Sequence, residues 1–202
     1  MCFFFVFSAH SIFYNGDGLI YYAPETFTLK DGQTVTLRSP VEGDAAVSLA
    51  YLRLIMGETD YLSAYPDEID GDVTSEAAFL RGKLADPRSL CLSAYDACGA
   101  IVGNFDLSPV RTVCRYAHRA TLGLSVRRDC WGLGLGSTLM QIMLREAKKM
   151  GYEQVELEVA AKNERAVALY EKFGFVKTGE LPHFYKYRDG SYADAFFMVR
   201  FL

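Results

Sequence analysis

Three glycines, Gly132, Gly134 and Gly136, alternate with larger residues in WGLGLGSTLMQIMLREAKKMG, and a long helical pattern follows at once. Glycine costs conformational entropy, so something requires bare backbone there. Either a tight turn needs positive φ, or a ligand comes close to the main chain. The first amide N–H groups of a helix lack intrahelical partners and carry partial positive charge, which suits a phosphate. A Walker loop would end in Gly-Lys-Ser/Thr, but Gly136 is followed by Ser137. A dinucleotide fingerprint would need glycine at Ser137 or Leu139. What remains is a pyrophosphate held by backbone N–H groups, or a glycine-rich turn that holds nothing. Further on, Asn163 and Tyr170 lie seven residues apart in NERAVALYEKFG. On a helix they share a face, about 10 Å apart. Their ordinary alternatives are an N-cap and a core aromatic.

Taken together, SVRRDCWGLGLGSTLM, LEVAAKNERAVALYEKFGFVKTGE and DGSYADAFFMVRF resemble the GNAT acetyltransferase family over roughly residues 26–202. The resemblance implies an N-acetyltransferase that uses acetyl-CoA as co-substrate, with no metal, and acetylates a primary amine of a small molecule or protein by direct attack. It implies an α/β (α+β) fold: a central mixed, mostly antiparallel sheet flanked by helices, with splayed central parallel strands. Tyr170 becomes the general acid beside the CoA sulfur, and Asn163 a partner of the pantetheine arm. The backbone of Leu124, Ser125 and Val126 becomes the strand edge that pairs with that arm, the Val126 N–H also meeting the oxyanion. Trp131, Gly132, Leu133, Gly134, Leu135, Gly136 and Ser137 become the pyrophosphate loop.

One departure stands out: the family loop usually carries Arg or Gln where this chain has Trp131. Arg127 and Arg128 are candidates to compensate, or are solvated surface charges. The general base stays open among His118, Glu156 and Glu158, and Glu58, Tyr61, Tyr65 and Glu68 are candidates to line an acceptor pocket. The alternatives are a non-catalytic acyl-CoA-binding regulatory domain and a nucleotide-binding module of another class, the latter disfavoured by the failed spacings.

Elements that could position these residues are legible. TFTLKDGQTVTLRSP reads as a hairpin about Asp31-Gly32. A helical stretch follows from about Glu42 to Met56, and a second helix opens at Thr74 and Ser75 as caps. SLCLSAYDACGAIVGNFDLSPV reads as two strands joined near Ala97–Gly99, and RYAHRATLGLSV as another, with Ala117, Leu122, Leu124 and Val126 among its apolar positions. The glycine loop and a helix to about Met150 come next, then the alternating strand EQVELEVA, the Asn163 helix, and a closing hairpin about Asp189-Gly190. The strand–helix–strand from Leu122 to Val159 is expected to be a parallel crossover.

With 202 residues, 50% of them hydrophobic and 23% charged, the chain has enough apolar surface for one domain with a real core. We read residues 1–25 as an N-terminal extension and 26–202 as the domain. The net charge of -4 gives none of the basic footprint of a nucleic-acid binder. Five cysteines without Cys-x-x-Cys spacing argue against a disulfide framework or zinc site and for a cytoplasmic location, each cysteine reading as a small buried hydrophobe. The apolar MCFFFVF has no basic residue before it, the first being Lys30, and is too short to span a bilayer. Neither a secretory signal nor a membrane partner is expected. Apolar surface on the extension and closing strands permits a homodimer.

Overall fold

The computed structural model describes residues 12–14 and 16–202. MCFFFVF and Cys2 lie outside them. Strands β1 (Ile12–Tyr14) and β2 (Ile20–Tyr22) form a small hairpin. The main sheet has eight strands: β3 (Glu25–Thr28), β4 (Thr34–Arg38), β5 (Leu90–Tyr95), β6 (Ile101–Pro109), β7 (Arg119–Val126), β8 (Gln154–Ala160), β9 (Val176–Lys186) and β10 (Tyr192–Phe201), in the order β3-β4-β5-β6-β7-β8-β10-β9. Every pairing is antiparallel except β7 with β8, as expected for the crossover. Four α-helices flank the sheet: α1 (Ala45–Glu58), α2 (Val73–Ala85), α3 (Leu135–Lys149) and α4 (Glu164–Lys172).

Alternation along β6 divides the two faces. Phe105 and Leu107 join Leu139, Met140 and Met143 of α3 in the main core. Asp106 and Ser108 face the other way, where Lys83 of α2 reaches them at 2.9 and 2.7 Å. A second core of Tyr51, Ile55, Tyr95 and Ile101 seats α1. Tyr22 of β2 is buried in the main core, and its hydroxyl donates to Glu25 at 2.8 Å and accepts from Arg145 of α3 at 2.8 Å.

Three local readings change. Helix α2 begins one residue before Thr74, capped by Asp72, whose carboxylate accepts from the Ser75 N–H at 2.7 Å. A carboxylate at this position also favours the positive helix end. Ala117 lies in the turn before β7 rather than in it. Cys91 and Cys130 are buried, but Cys98 and Cys114 sit exposed in connections.

Gly103 lets α3 pack closely on β6. A Cβ there would lie 3.0 Å from Leu135 Cδ2 and 3.2 Å from Leu139 Cδ1. Gly103→Val should therefore destabilise the fold by about 1–3 kcal/mol through overpacking, read as a lower urea midpoint with an unchanged m-value. An unchanged midpoint would mean that α3 packs more loosely.

Candidate functional site

The parallel ladder between β7 and β8 is short. It pairs Arg119 with Gln154, Ala120 with Val155 and Thr121 with Glu156, and ends there. Each strand is held on its other side: β7 pairs with β6 as far as Val126, and β8 with β10 as far as Ala160. The two strands thus part beyond Thr121. The direction of the β7 backbone follows from its hydrogen bonds. Arg127 N–H donates to Val102, and the Arg119 carbonyl accepts from Val110. Odd-numbered residues therefore face β6, and even-numbered ones face β8. Leu122, Leu124 and Val126 turn their main-chain groups toward the gap. Ser125 does not: its backbone pairs with Asn104, while its hydroxyl meets that of buried Tyr51 at 2.9 Å. Successive residues of a strand turn their backbone groups to opposite neighbours, which is why Ser125, between Leu124 and Val126, drops out of the expected edge.

At the open end of β7 lies the glycine loop. Gly132 and Gly134 have φ of +80° and +98°, and Gly134 is the residue from which α3 starts, with no side-chain cap. The N–H groups of Leu135, Gly136 and Ser137 head the helix, and the first i→i−4 bond is Thr138 to Gly134. Leu133 and Leu135 turn their side chains into the core. Ser137 accepts a hydrogen bond from Lys172 at 3.3 Å, and Lys30 N–H donates to the Leu133 carbonyl at 3.1 Å. Trp131 is half-buried, and its Nε1–H donates to the Val126 carbonyl at 2.6 Å. Arg127 is paired with Asp129 at 2.7 Å and Asp96 at 3.7 Å, whereas Arg128 lies 5.6 Å from the Trp131 ring centre. Arg165, which the sequence reading did not single out, lies 4.9 Å from the same ring.

Helix α4 starts just past the end of β8. The Asn163 carbonyl oxygen caps it by accepting from Ala166 N–H at 3.2 Å, which leaves the amide NH₂ as a donor. Leu169 sits 3.5 Å from where a Gly136 Cβ would be, which places α4 against the head of α3. Tyr170 is 7% exposed and packs on Phe175 with ring centres 5.8 Å apart. Burial, with a lesser contribution from Tyr185, pushes its phenol up to about 12. Tyr185 in turn is raised by burial and then by Glu158, so it lies within electrostatic reach of both Tyr170 and Glu158.

The candidate bases separate by position. His118 precedes β7 at the closed end of the gap, its carbonyl accepting from Glu153 and Gln154. Glu156 closes that end by pairing with Arg119, whose guanidinium holds its carboxyl low. Glu158 lies on the part of β8 beyond the ladder, and partial desolvation raises its carboxyl. Glu58, at the end of α1, accepts from the Arg128 N–H at 2.7 Å. Tyr65 and Glu68 belong to the α1–α2 connection, which the β9–β10 turn covers. Tyr187 hydroxyl donates to the Asp60 carbonyl at 3.2 Å, Arg188 N–H donates to Tyr65 hydroxyl at 3.0 Å, and the Arg188 side chain pairs with Asp67 at 2.9 Å. Tyr61, in the same connection, is exposed. Among the described residues there is no cluster of His, Cys, Asp and Glu that could hold a metal, and no helix long and apolar enough to cross a membrane.

The geometry separates the two reasons for a glycine. Gly132→Ala and Gly134→Ala should each cost about 1–2 kcal/mol, because L-residues are strained at those φ values. That is a fall of roughly 2–8 °C in Tm for a chain of this size. Gly136→Ala meets only ordinary contacts, at 3.5 and 3.9 Å, and should leave Tm within about a degree. Equal losses at all three would contradict the assignment.

Comparison with known proteins agrees with this geometry. The model of the acetyltransferase (GNAT) family matches residues 56–175. The L-amino acid N-acetyltransferase AaaT of Escherichia coli is 31% identical over 103 residues, covering 50% of this chain and 62% of that protein. The ribosomal protein bS18-alanine N-acetyltransferase of the same organism is 38% identical over 72 residues, covering 35% of this chain and 49% of that protein. The chain thus spans under two thirds of the length of these relatives. A GNAT-family acetyltransferase from Streptococcus pneumoniae superposes with a TM-score of 0.79 at 27% identity, over 83% of this chain and 99% of that one. A putative acetyltransferase from Salmonella typhimurium, solved with its cofactor acetyl-CoA, shares the fold with a TM-score of 0.72 at 18% identity, over 83% of this chain and 94% of that one. With an eight-stranded, mostly antiparallel sheet that opens at its one parallel pair, the chain belongs to the GNAT family of acetyltransferases.

Proposed function

We propose that the protein transfers the acetyl group of acetyl-CoA to a primary amine by direct attack. The observation that carries this reading is the opening between β7 and β8, an unpaired strand edge with an uncapped helix start at its open end; α4, which carries Asn163 and Tyr170, follows β8 directly. These groups fit CoA. Loop amides Leu135, Gly136 and Ser137 would hold the pyrophosphate, and the Leu122 and Leu124 main chain would pair with the pantetheine amides, with the Asn163 NH₂ a further donor. Bound there, acetyl-CoA supplies an activated acyl thioester.

Three tasks then fall to the chain. An alkyl amine has a pKa near 10 and must lose a proton to attack. Glu158 takes it, directly or through water; a raised carboxyl is a better base near neutral pH. The Val126 N–H, on the open edge, donates to the oxyanion. Tyr170 then gives its phenolic proton to the departing thiolate sulfur, having stayed protonated because of its burial. The amine gains the acetyl C–N bond and the C–S bond breaks; the ammonium proton taken by Glu158 returns to solvent, and the second proton, shed by the acylated nitrogen, restores the Tyr170 phenol through solvent.

The acceptor would enter beside the α1–α2 connection, which hydrogen bonds tie to the β9–β10 turn. The relatives are named for an L-amino acid and for the alanine of a ribosomal protein, so small-molecule and protein amines both stay within this reading. A cytoplasmic location goes with this reading. We keep residues 1–25 as an extension and 26–202 as the catalytic domain.

The test is amine-dependent release of CoA across a pH series. The wild type should gain rate as a carboxyl with a raised pKa ionises. Glu158→Gln should lose that limb and about 10²–10⁴-fold in kcat. Tyr170→Phe should lose a similar factor while acetyl-CoA affinity holds. Acetyl-CoA binding without any amine-dependent turnover would favour a regulatory acyl-CoA-binding domain instead.

A further inference from the structure

The loop's usual Arg or Gln is replaced by an indole that is already committed, since Trp131 Nε1 donates to the Val126 carbonyl at 2.6 Å. That bond fixes the plane of the ring. The ring in turn fixes a cation from elsewhere in the chain: the Arg165 guanidinium carbon, on the first turn of α4, lies 4.9 Å from its centre. One Arg165 nitrogen, Nη2, is 3.5 Å from where a Cβ on Gly132 would stand, so the guanidinium rests over the loop backbone. Arg128 approaches the same ring at 5.6 Å. The Lys30 side chain lies alongside Gly134, with Cε 3.8 Å from a Cβ there. Among the described residues, none of these three side chains has a carboxylate within ion-pair distance. In a chain of net charge -4, unpaired cations gathered at one helix mouth favour an anion beside them.

We infer that Arg165, held on Trp131, supplies the cationic contact to the CoA pyrophosphate, and that Trp131 is a positioning residue for it. The inference rests on the acetyl-CoA reading above. The guanidinium adds charge-assisted hydrogen bonds to those of the loop amides and keeps its charge at every working pH. The side-chain contact has thus moved from the loop itself to the neighbouring helix, and the indole bridges the two.

Calorimetric titration of the full chain with CoA, 3′-dephospho-CoA and phosphate-free pantetheine tests this. Arg165→Gln should weaken CoA and 3′-dephospho-CoA alike by about tenfold or more and flatten the dependence of Kd on salt. It should leave pantetheine binding and the ligand-free Tm unchanged, and Arg165→Lys should recover part of the loss. Trp131→Ala should weaken CoA in the same way, and adding it to Arg165→Gln should cost little more. Arg165→Gln binding CoA within twofold of wild type would overturn the inference, as would an equal loss for pantetheine. A loss confined to CoA would overturn the assignment to the pyrophosphate. A wild type that binds neither CoA nor 3′-dephospho-CoA would overturn the acetyl-CoA reading itself, and this inference with it.

Discussion

The early end of the β7–β8 ladder is the constraint on which the site depends. Backbone N–H and C=O groups in a sheet normally find partners, and each group left over must be met by something else. Here β7 is committed to β6 through Val126, and β8 to β10 through Ala160, so neither can rotate to close the gap beyond Thr121. The Arg119–Glu156 pair ties the two strands across the ladder, from its first paired residue on β7 to its last on β8. The result is a wedge with one closed end and one open end. The open end is bounded by the head of α3 on one side and by α4 on the other.

Trp131 shows how a substitution at one loop position is absorbed. A side chain that cannot carry charge takes the carbonyl of Val126, at the far end of the open edge, and so stabilises the strand where it departs from its neighbour. Its ring gathers arginines from two elements, Arg128 and Arg165. The electrostatic character of the loop mouth is therefore set by residues distant in sequence. Desolvation moves both Tyr170 and Glu158 toward their protonated forms, through full burial for Tyr170 and only partial cover for the exposed Glu158.

Much of this was legible in the residues. Hairpins about Asp31-Gly32 and Asp189-Gly190 form where turn chemistry placed them, and the strand–helix–strand about the glycine loop is parallel. Asn163 is the N-cap that one of its readings expects, and capping occupies only its carbonyl oxygen. The rest depended on information that periodicity does not carry. Alternation along LGLSV shows two faces for the side chains, but which backbone groups face the gap is decided by the register with β6, and Ser125 fell on the wrong side of it. Asp72 took the cap from Thr74 and Ser75 because the helix starts one residue earlier than its apolar pattern. Arg165 carries no local sign of its role, which is created by a ring 34 positions away in the chain. The ladder's end point, which sets Glu158 apart from Glu156 and His118, was likewise not legible in the residues.

Hydrogen exchange resolved at single amides, with and without saturating CoA, tests the central claim most directly. The account predicts new protection at Leu122, Leu124 and Val126 and at the first amides of α3, with little change at Ser125, which is already bonded to β6. Unchanged exchange at those gap-facing amides with CoA bound would contradict it, because the ligand would then lie somewhere other than the opening between β7 and β8.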